Sequence, residues 1–480
     1  MGLRGAALSI RENYAQAMAV TAPLGSVVST TTAAIAYSGG NIVFASILAF
    51  LAGALWIYSL SLYSSRFASA GGYYTFVYAA YRSKFLAFSE AVVEFFSFVF
   101  LNAVNVLAIY LMVRELLAFY GFKMDWWLSI TVLTASLLYP TIASYAMDVK
   151  RLLSTVVIFV ATLEVLALLG LFALSLEKGF NLRLFTPSGD VSLGGLAIAF
   201  LMVLVTLDGA GTATYLGEET GRPHDNVTKG MWLAFIVGGV STILGTYALV
   251  ALWPGNLLGL SESAQPLIAI TAGYGILPVI LIILVATKSL LISNIGTTLA
   301  AARILYNLSR EDAAPRIFQS VNSKGQPYVA TLLVGLLTST LLFLFTLAAG
   351  FTGAFIALGA VTGILWIVGR VLDSAGAPLM LYRLGELEPT VKALFLKVAA
   401  PIAITAVNMA GLILSSLDLT FRETLTLAGI TLAGLAWYML IARYGSPGTL
   451  VVDRDNIVVG IDVYLSRYNA HSRAAGQPGS

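Results

Sequence analysis

Three ionisable side chains stand inside long apolar runs of this sequence: Glu164 in IFVATLEVLAL, Asp208 in VLVTLDGAG and Lys288 in LVATKSLLIS. A charge at membrane depth is costly unless it is paired, neutralised or wet, so such residues mark proton relays, ion sites or ligand contacts. Asp208 follows an unbroken apolar run from Leu196 to Val205 and precedes Gly209-Ala210-Gly211. Backbone opened by glycine is tolerated at that depth only where it lines a cavity or is buried in protein. The pattern predicts a helix broken at a binding site, with backbone amides and carbonyls as the ligands. The Asp208 carboxylate is expected to cap the second half of that helix; the competing role is counter-ion to an ammonium group.

A second break comes earlier, at Pro23-Leu24-Gly25-Ser26-Val27, where a mid-span proline removes one backbone hydrogen bond and hydroxyl residues fill most of 26–32. Taken alone, this is equally a proline-kinked helix whose hydroxyls bond back to its own carbonyls. Two interruptions five helices apart, however, are the signature of an inverted repeat with its site between the halves. Amides at the start of one half-helix would face an anionic group, and carbonyls at the end of the other a cation. A zwitterion fits both. Pro23, Gly25, Ser26, Val27, Asp208, Gly209, Ala210 and Gly211 are therefore the expected substrate contacts.

The elements that must hold these residues are membrane helices. Of 480 residues, 58% are hydrophobic and 11% charged, with mean hydropathy +0.88, against about 25% charged in soluble domains. At roughly 20 apolar residues per span, the sequence predicts about twelve helices, near 14–36, 41–64, 85–117, 126–146, 152–176, 193–216, 230–254, 274–305, 328–349, 351–371, 399–416 and 423–443. The expected organisation is an N-terminal segment 1–13, a core of ten helices over 14–398, two further helices over 399–443 and a tail 444–480. In this layout 21 of the 27 Lys and Arg fall on the side of the termini, Arg4 and Arg454 among them, and 5 fall opposite. Both termini are thus expected in the cytoplasm. The basic stretch before the first span reads as its flank and not as a cleaved leader.

No cysteine and only two histidines, His224 and His471, are present, which removes thiolate and histidine-cluster metal sites and thiol catalysis. No metal, cofactor or nucleic acid is expected, and no converging cluster supports an enzyme. Glu90 and Glu94, four apart on helix 3, share a face and are expected to be wet. Glu218 and Glu219 are expected to pair with loop arginines as a gate element. Phe98 and Tyr215 are candidates to approach the pocket.

The chain resembles the amino acid–polyamine–organocation superfamily of permeases over about 14–440. Three stretches carry the likeness: Arg66-Phe-Ala-Ser-Ala-Gly71-Gly72-Tyr73-Tyr74; Asp208-Gly209 with Gly217-Glu218-Glu219-Thr-Gly-Arg-Pro223; and Ala302-Arg303-Ile-Leu-Tyr306-Asn-Leu-Ser-Arg310-Glu-Asp312-Ala-Ala-Pro315. The resemblance implies an all-α membrane protein with the leucine-transporter type of fold. That fold is a five-plus-five inverted repeat with discontinuous helices 1 and 6 and two added helices. It also implies transport of amino acids or related amines across the plasma membrane by alternating access. The family's glycine-serine-glycine in helix 1 reads Gly25-Ser26-Val27 here, which alters one substrate-facing position.

In this family, the region of Glu164 corresponds to a place where a lysine can stand in for bound sodium between helices 1, 5 and 8. Glu164 and Lys288 are accordingly expected to form an ion pair or proton-carrying couple behind helix 1, or a static pair that fixes packing. A sodium site of Glu164 with Ser293 or Thr297 is the alternative. Proton-driven transport is the leading expectation; sodium symport, exchange, and an uncoupled channel or sensor are the others.

Overall fold

The computed structural model describes residues 3–475 apart from Arg4, Met147, Gly189, Asp190 and Arg454. Arg4 and Arg454, used in the orientation argument, lie outside the described residues, as does the end of the tail.

In lipid every backbone group must be paired within the protein, and a helix does this segment by segment. The apolar runs obey this rule. Helix 1 is built from Ile10–Thr21, Pro23–Val28 and Thr30–Ser38, and helix 2 is Ile42–Ser64. Helices 3 to 8 are Lys84–Phe119, Trp126–Ala146, Val149–Leu176, Leu193–Glu219, Pro223–Leu252 and Ile276–Arg310. Tyr328–Arg383 is one stretch in which Gly350 alone has non-helical angles (φ 68°, ψ 175°). Only glycine adopts that conformation cheaply, and helices 9 and 10 divide there, as the short Ala349–Gly353 break predicts. Helices 11 and 12 are Val391–Ser415 and Phe421–Leu440. Among the described residues, ten helices are long and apolar enough to cross a membrane, the stretch divided at Gly350 counted as one.

Helices 3 and 6 are central, with 89% of their apolar stretches buried, whereas helix 12 has 6% buried and stands at the rim. Exposed side chains such as Phe343, Leu347, Leu432 and Leu440 form the apolar outer surface that hydrocarbon would cover. The breaks differ from one another. In helix 1, Ala22 adopts a left-handed conformation (φ 39°, ψ 67°) before Pro23, at a cost of about 1–2 kcal/mol for a non-glycine residue. Ser29 (φ −113°, ψ −97°) makes a second interruption. Helix 6 does not open as expected: its α-helix ends at Asp208 and tightens into a 3-10 segment, Gly209–Glu219. Bonding from i to i+3 keeps its amides paired within the helix.

Both termini gather on one face. Leu8 pairs with the end of helix 6 through Leu8 N to Glu219 O and Gly221 N to Leu8 O, each 2.9 Å. The alternation over 451–463 predicts a strand; the structure has a hairpin, β1 (Leu450–Val452) against β2 (Val458–Gly460), followed by a helix, Ile461–Ala475. Val452 N donates to Ala68 O at 2.8 Å, so the hairpin is tied to the loop after helix 2. Just beyond helix 8, the Glu311 carboxylate accepts from Gly448 N (2.9 Å), Leu450 N (3.0 Å) and the Tyr74 hydroxyl (2.9 Å).

Burial pushes Glu311 up to about 7, although these three donors and Arg310 pull it down. An acid raised in the docked state stabilises docking fully below its ordinary value of 4.5 and loses that contribution as pH rises through about 7, up to roughly 3 kcal/mol in all. Amide exchange at β1, corrected for its intrinsic pH dependence, is expected to accelerate between those limits and then level off. Glu311→Gln should flatten the profile; an unchanged profile would refute the assignment.

Candidate functional site

Breaking helix 1 at Ala22 and Ser29 turns short polar side chains toward helices 3, 6 and 8. They line a cleft with Val20, Ala22, Ser26, Ser29 and Thr30 on one side. Leu101 and Asn105 of helix 3, Val205 and Thr206 of helix 6, and Leu290 and Ser293 of helix 8 complete it. About 210 Å³ of space between atoms lies within and at its mouth, nowhere wide enough for a water molecule. The lining holds hydroxyls and one carboxamide but no charged group.

The polar lining is tied together. Thr30 Oγ1 and Thr206 Oγ1 are 2.8 Å apart. Asn105 Nδ2 donates to Ser293 Oγ (3.2 Å) and Asn294 Oδ1 (2.9 Å). Ser26 Oγ donates back to Thr21 O at 2.7 Å, the local bond that lets a hydroxyl stabilise a kinked helix.

The freed amides of helix 1 are already occupied. Leu24 N donates to Glu164 Oε2 at 3.2 Å and Gly25 N to Ser289 Oγ at 3.0 Å, while Ser26 N closes on Ala22 O at 2.7 Å. Glu164 is buried and thus holds the break from helix 5. The expected Glu164–Lys288 ion pair is not formed: Lys288 lies on the exposed side of helix 8, and its neighbour Ser289 faces inward. One residue, about 100° of helix rotation, separates the two faces. The hydroxyls named for a sodium site with Glu164 have other partners: Ser293 Oγ accepts from Asn105 Nδ2 and Thr297 Oγ1 donates to Asn102 Oδ1 at 2.5 Å.

Of the expected contacts, Ser26 lines the cleft, and the others serve the helix packing around it. Gly25 lies against Ser289, Pro23 and Val27 against helix 7 at Gly238 and Gly245, and Gly211 against Trp56 and Tyr73. Ala210 is fully buried and does not line the cleft. Asp208 makes no capping bond; both its oxygens lack a hydrogen-bond partner, and a Cβ on Gly53 would come 3.5 Å from one of them. Helix 6 therefore offers its Val205 and Thr206 to the cleft, one turn before the expected residues. Those two, with Asn105 and Leu101, lack any distinguishing sequence signal.

Gly209 is where helices 1 and 6 meet: a Cβ there would come 2.8 Å from Thr21 N and 2.9 Å from Val20 C. Backbone atoms cannot swing aside, so Gly209→Ala is expected to destabilise the protein by about 1–3 kcal/mol and to show reduced ligand-induced stabilisation. A variant with unchanged melting and ligand response would contradict this packing.

Beneath the cleft, on the face of the termini, Arg303 Nε donates to Glu219 Oε2 at 2.6 Å and Arg310 pairs with Glu218 at 2.8 Å. Glu218 and Glu219 thus pair with arginines, but with ones inside the end of helix 8 and not in a loop, because that helix runs on to Arg310. Glu90 and Glu94 are not wet: both are fully buried beside Arg370 of helix 10. Phe98 and Tyr215 pack edge to face with each other and with Trp366 and Tyr73 respectively, next to that arginine and outside the cleft.

Fold and cleft together define an all-α membrane protein of the leucine-transporter type. A solved transporter, MhsT in complex with L-phenylalanine, aligns over 86% of this chain and 100% of its own, with TM-score 0.59 and 18% identity, a likeness that carries the fold. The model of the amino acid permease family matches residues 14–441, and the chain belongs to that family. Among curated relatives, gamma-aminobutyric acid permeases of Bacillus subtilis (strain 168) and Escherichia coli (strain K12) are each 29% identical, over 156 and 154 residues. The lysine-specific permease LysP of Lactococcus lactis subsp. cremoris (strain MG1363) is 25% identical over 190 residues. The matched stretches span 30%, 31% and 37% of these relatives.

Proposed function

We propose that the protein is a secondary active permease that moves small neutral amino acids or related amines across the plasma membrane by alternating access, coupled to protons, with both termini in the cytoplasm. The observation that carries this reading is the closed cleft at the break of helix 1. Its hydroxyl and carboxamide lining contains no charged side chain. Such a lining suits a zwitterion or small amine and gives a second net charge no partner. Arg303–Glu219 and Leu8–Glu219 contacts close the cytoplasmic side, so inward release requires them to part. Coupling to protons rests on Glu164: ionised, it accepts the Leu24 amide; protonated, it loses charge-assisted strength and frees the broken helix to move.

Reconstituted vesicles should accumulate a small neutral amino acid when the outside is acidic. Sodium should add nothing, because the Glu164, Ser293 and Thr297 oxygens face different partners. Failure to move any amino acid or amine of a full panel would refute the function. Accumulation driven by sodium, or by an internal amino acid alone, would replace the proton with symport or exchange.

A further inference from the structure

Below the cleft, five ionisable side chains are completely buried at the junction of helices 3, 6 and 10: Glu90, Glu94, Asp208, Arg370 and Asp373. Arg370 contacts Glu94, approaches Asp373 at 3.4 Å and lies 3.9 Å from Glu90. Its guanidinium also sits 4.4 Å from the Trp56 ring centre and 4.0 Å from that of Tyr73. Asp208 lies within electrostatic range of both Asp373 and Tyr73.

The site is built for carboxyl groups. On Gly369 a Cβ would meet Glu90 Oε1 at 2.6 Å and Glu94 Oε1 at 3.0 Å, so the missing side chain makes the space they fill. A second observation is independent of the acidic cluster. The Tyr215 hydroxyl, buried and within electrostatic range of Glu90 and Asp373, has no hydrogen-bond partner.

Three carboxyls face the one guanidinium, and Asp208 lies within electrostatic range of one of the three, Asp373. The other titratable groups near them are tyrosines: Tyr63 from helix 2, Tyr73 and Tyr81 from the short helix Tyr73–Tyr81, and Tyr215 from helix 6. None supplies a positive charge. Ionising all four acids would strand three negative charges away from water, which a folded protein does not sustain. A metal ion is not the remedy, because among the described residues no set of three or more acidic or histidine side chains is arranged to hold one.

We propose that the Arg370 cluster is a proton-binding centre, separate from Glu164, in which Glu94 is the ion-pair partner and Asp208 the member that exchanges its proton. Asp208 stands two residues beyond Thr206, which lines the cleft, and at the switch from α-helix to 3-10 helix. A change of charge there acts on the segment that bounds the substrate. The role in transport rests on the permease reading; the protonation itself rests on charge balance and is tested without transport.

Infrared spectra of the purified full chain at neutral pH are expected to contain carboxylic-acid C=O bands. Asp208→Asn and Asp373→Asn should each remove one component, Arg370→Met should change the set, and Glu164→Gln should leave the cluster's components in place. Transfer to D2O should shift the Asp208 component first. Absence of any band sensitive to Asp208 or Asp373 overturns the proposal. So does sodium- or potassium-dependent thermal stabilisation that Asp208→Asn abolishes, because the ligand is then a metal cation. Since asparagine preserves shape, melting of Asp208→Asn within a few degrees of wild type verifies that the variant is folded. If it unfolds instead, the D2O shift in the wild type decides: a band that never exchanges in the folded protein overturns the proposal.

Discussion

Glu164→Gln is expected to reduce proton-driven accumulation at least about tenfold, the scale of one lost charge-assisted contact of roughly 1.5–3 kcal/mol, while leaving amino acid exchange largely intact. The carboxamide oxygen can still accept from Leu24 N, which Glu164 Oε2 engages at 3.2 Å, so the broken helix keeps its shape. What disappears is the change of charge on proton binding. Glu164→Ala differs, because it leaves the Leu24 amide unpartnered in a buried site and should cost about 1–3 kcal/mol of stability besides. Uptake with and without an imposed pH gradient, alongside counterflow at equal pH, separates the two effects. Full gradient-driven accumulation by the Gln variant would show that Glu164 only holds helix 1 in place.

The largest loss of stability is expected at Arg303. Its guanidinium is fully buried, Glu219 is 4% exposed, and they meet at 2.6 Å. Arg303→Met leaves the Glu219 carboxylate buried without its cation, a change that costs about 3–5 kcal/mol in comparable pairs. Removing both charges with Arg303→Met and Glu219→Gln should restore most of that loss, because an absent pair strands no charge. Thermal unfolding in detergent of both single variants and the double variant measures the coupling. Simple additivity would mean that the two residues do not act as a pair.

The apolar membrane helices and the broken first helix are legible in the sequence because length, apolarity and proline at mid-span each have a direct physical meaning. The role of Glu164 is only half legible: a buried carboxylate must find a partner, but the partner is a backbone amide, and amides leave no mark in a sequence. Lys288 was expected in its place, yet equal depth does not fix rotation about the helix axis, and Ser289 turns inward instead. Arg370 falls at the end of the expected span 351–371, whereas helix 10 runs on to Arg383, because apolar residues continue past it at Val371, Leu372 and Ala375. Glu90 and Glu94 are correctly read as sharing a face. Periodicity says which residues share a face and not what that face meets.

The carboxylate of Glu311 is made 137 residues before the Gly448 amide that binds it. Until residues 448–450 leave the ribosome, it has only the Tyr74 hydroxyl among its three close donors. The loop after helix 2 likewise waits for β1 to reach Ala68. The face of the termini is therefore closed by residues that follow helix 12 in the chain. A chain stopped short of Gly448 would leave the buried Glu311 carboxylate without two of its three close donors.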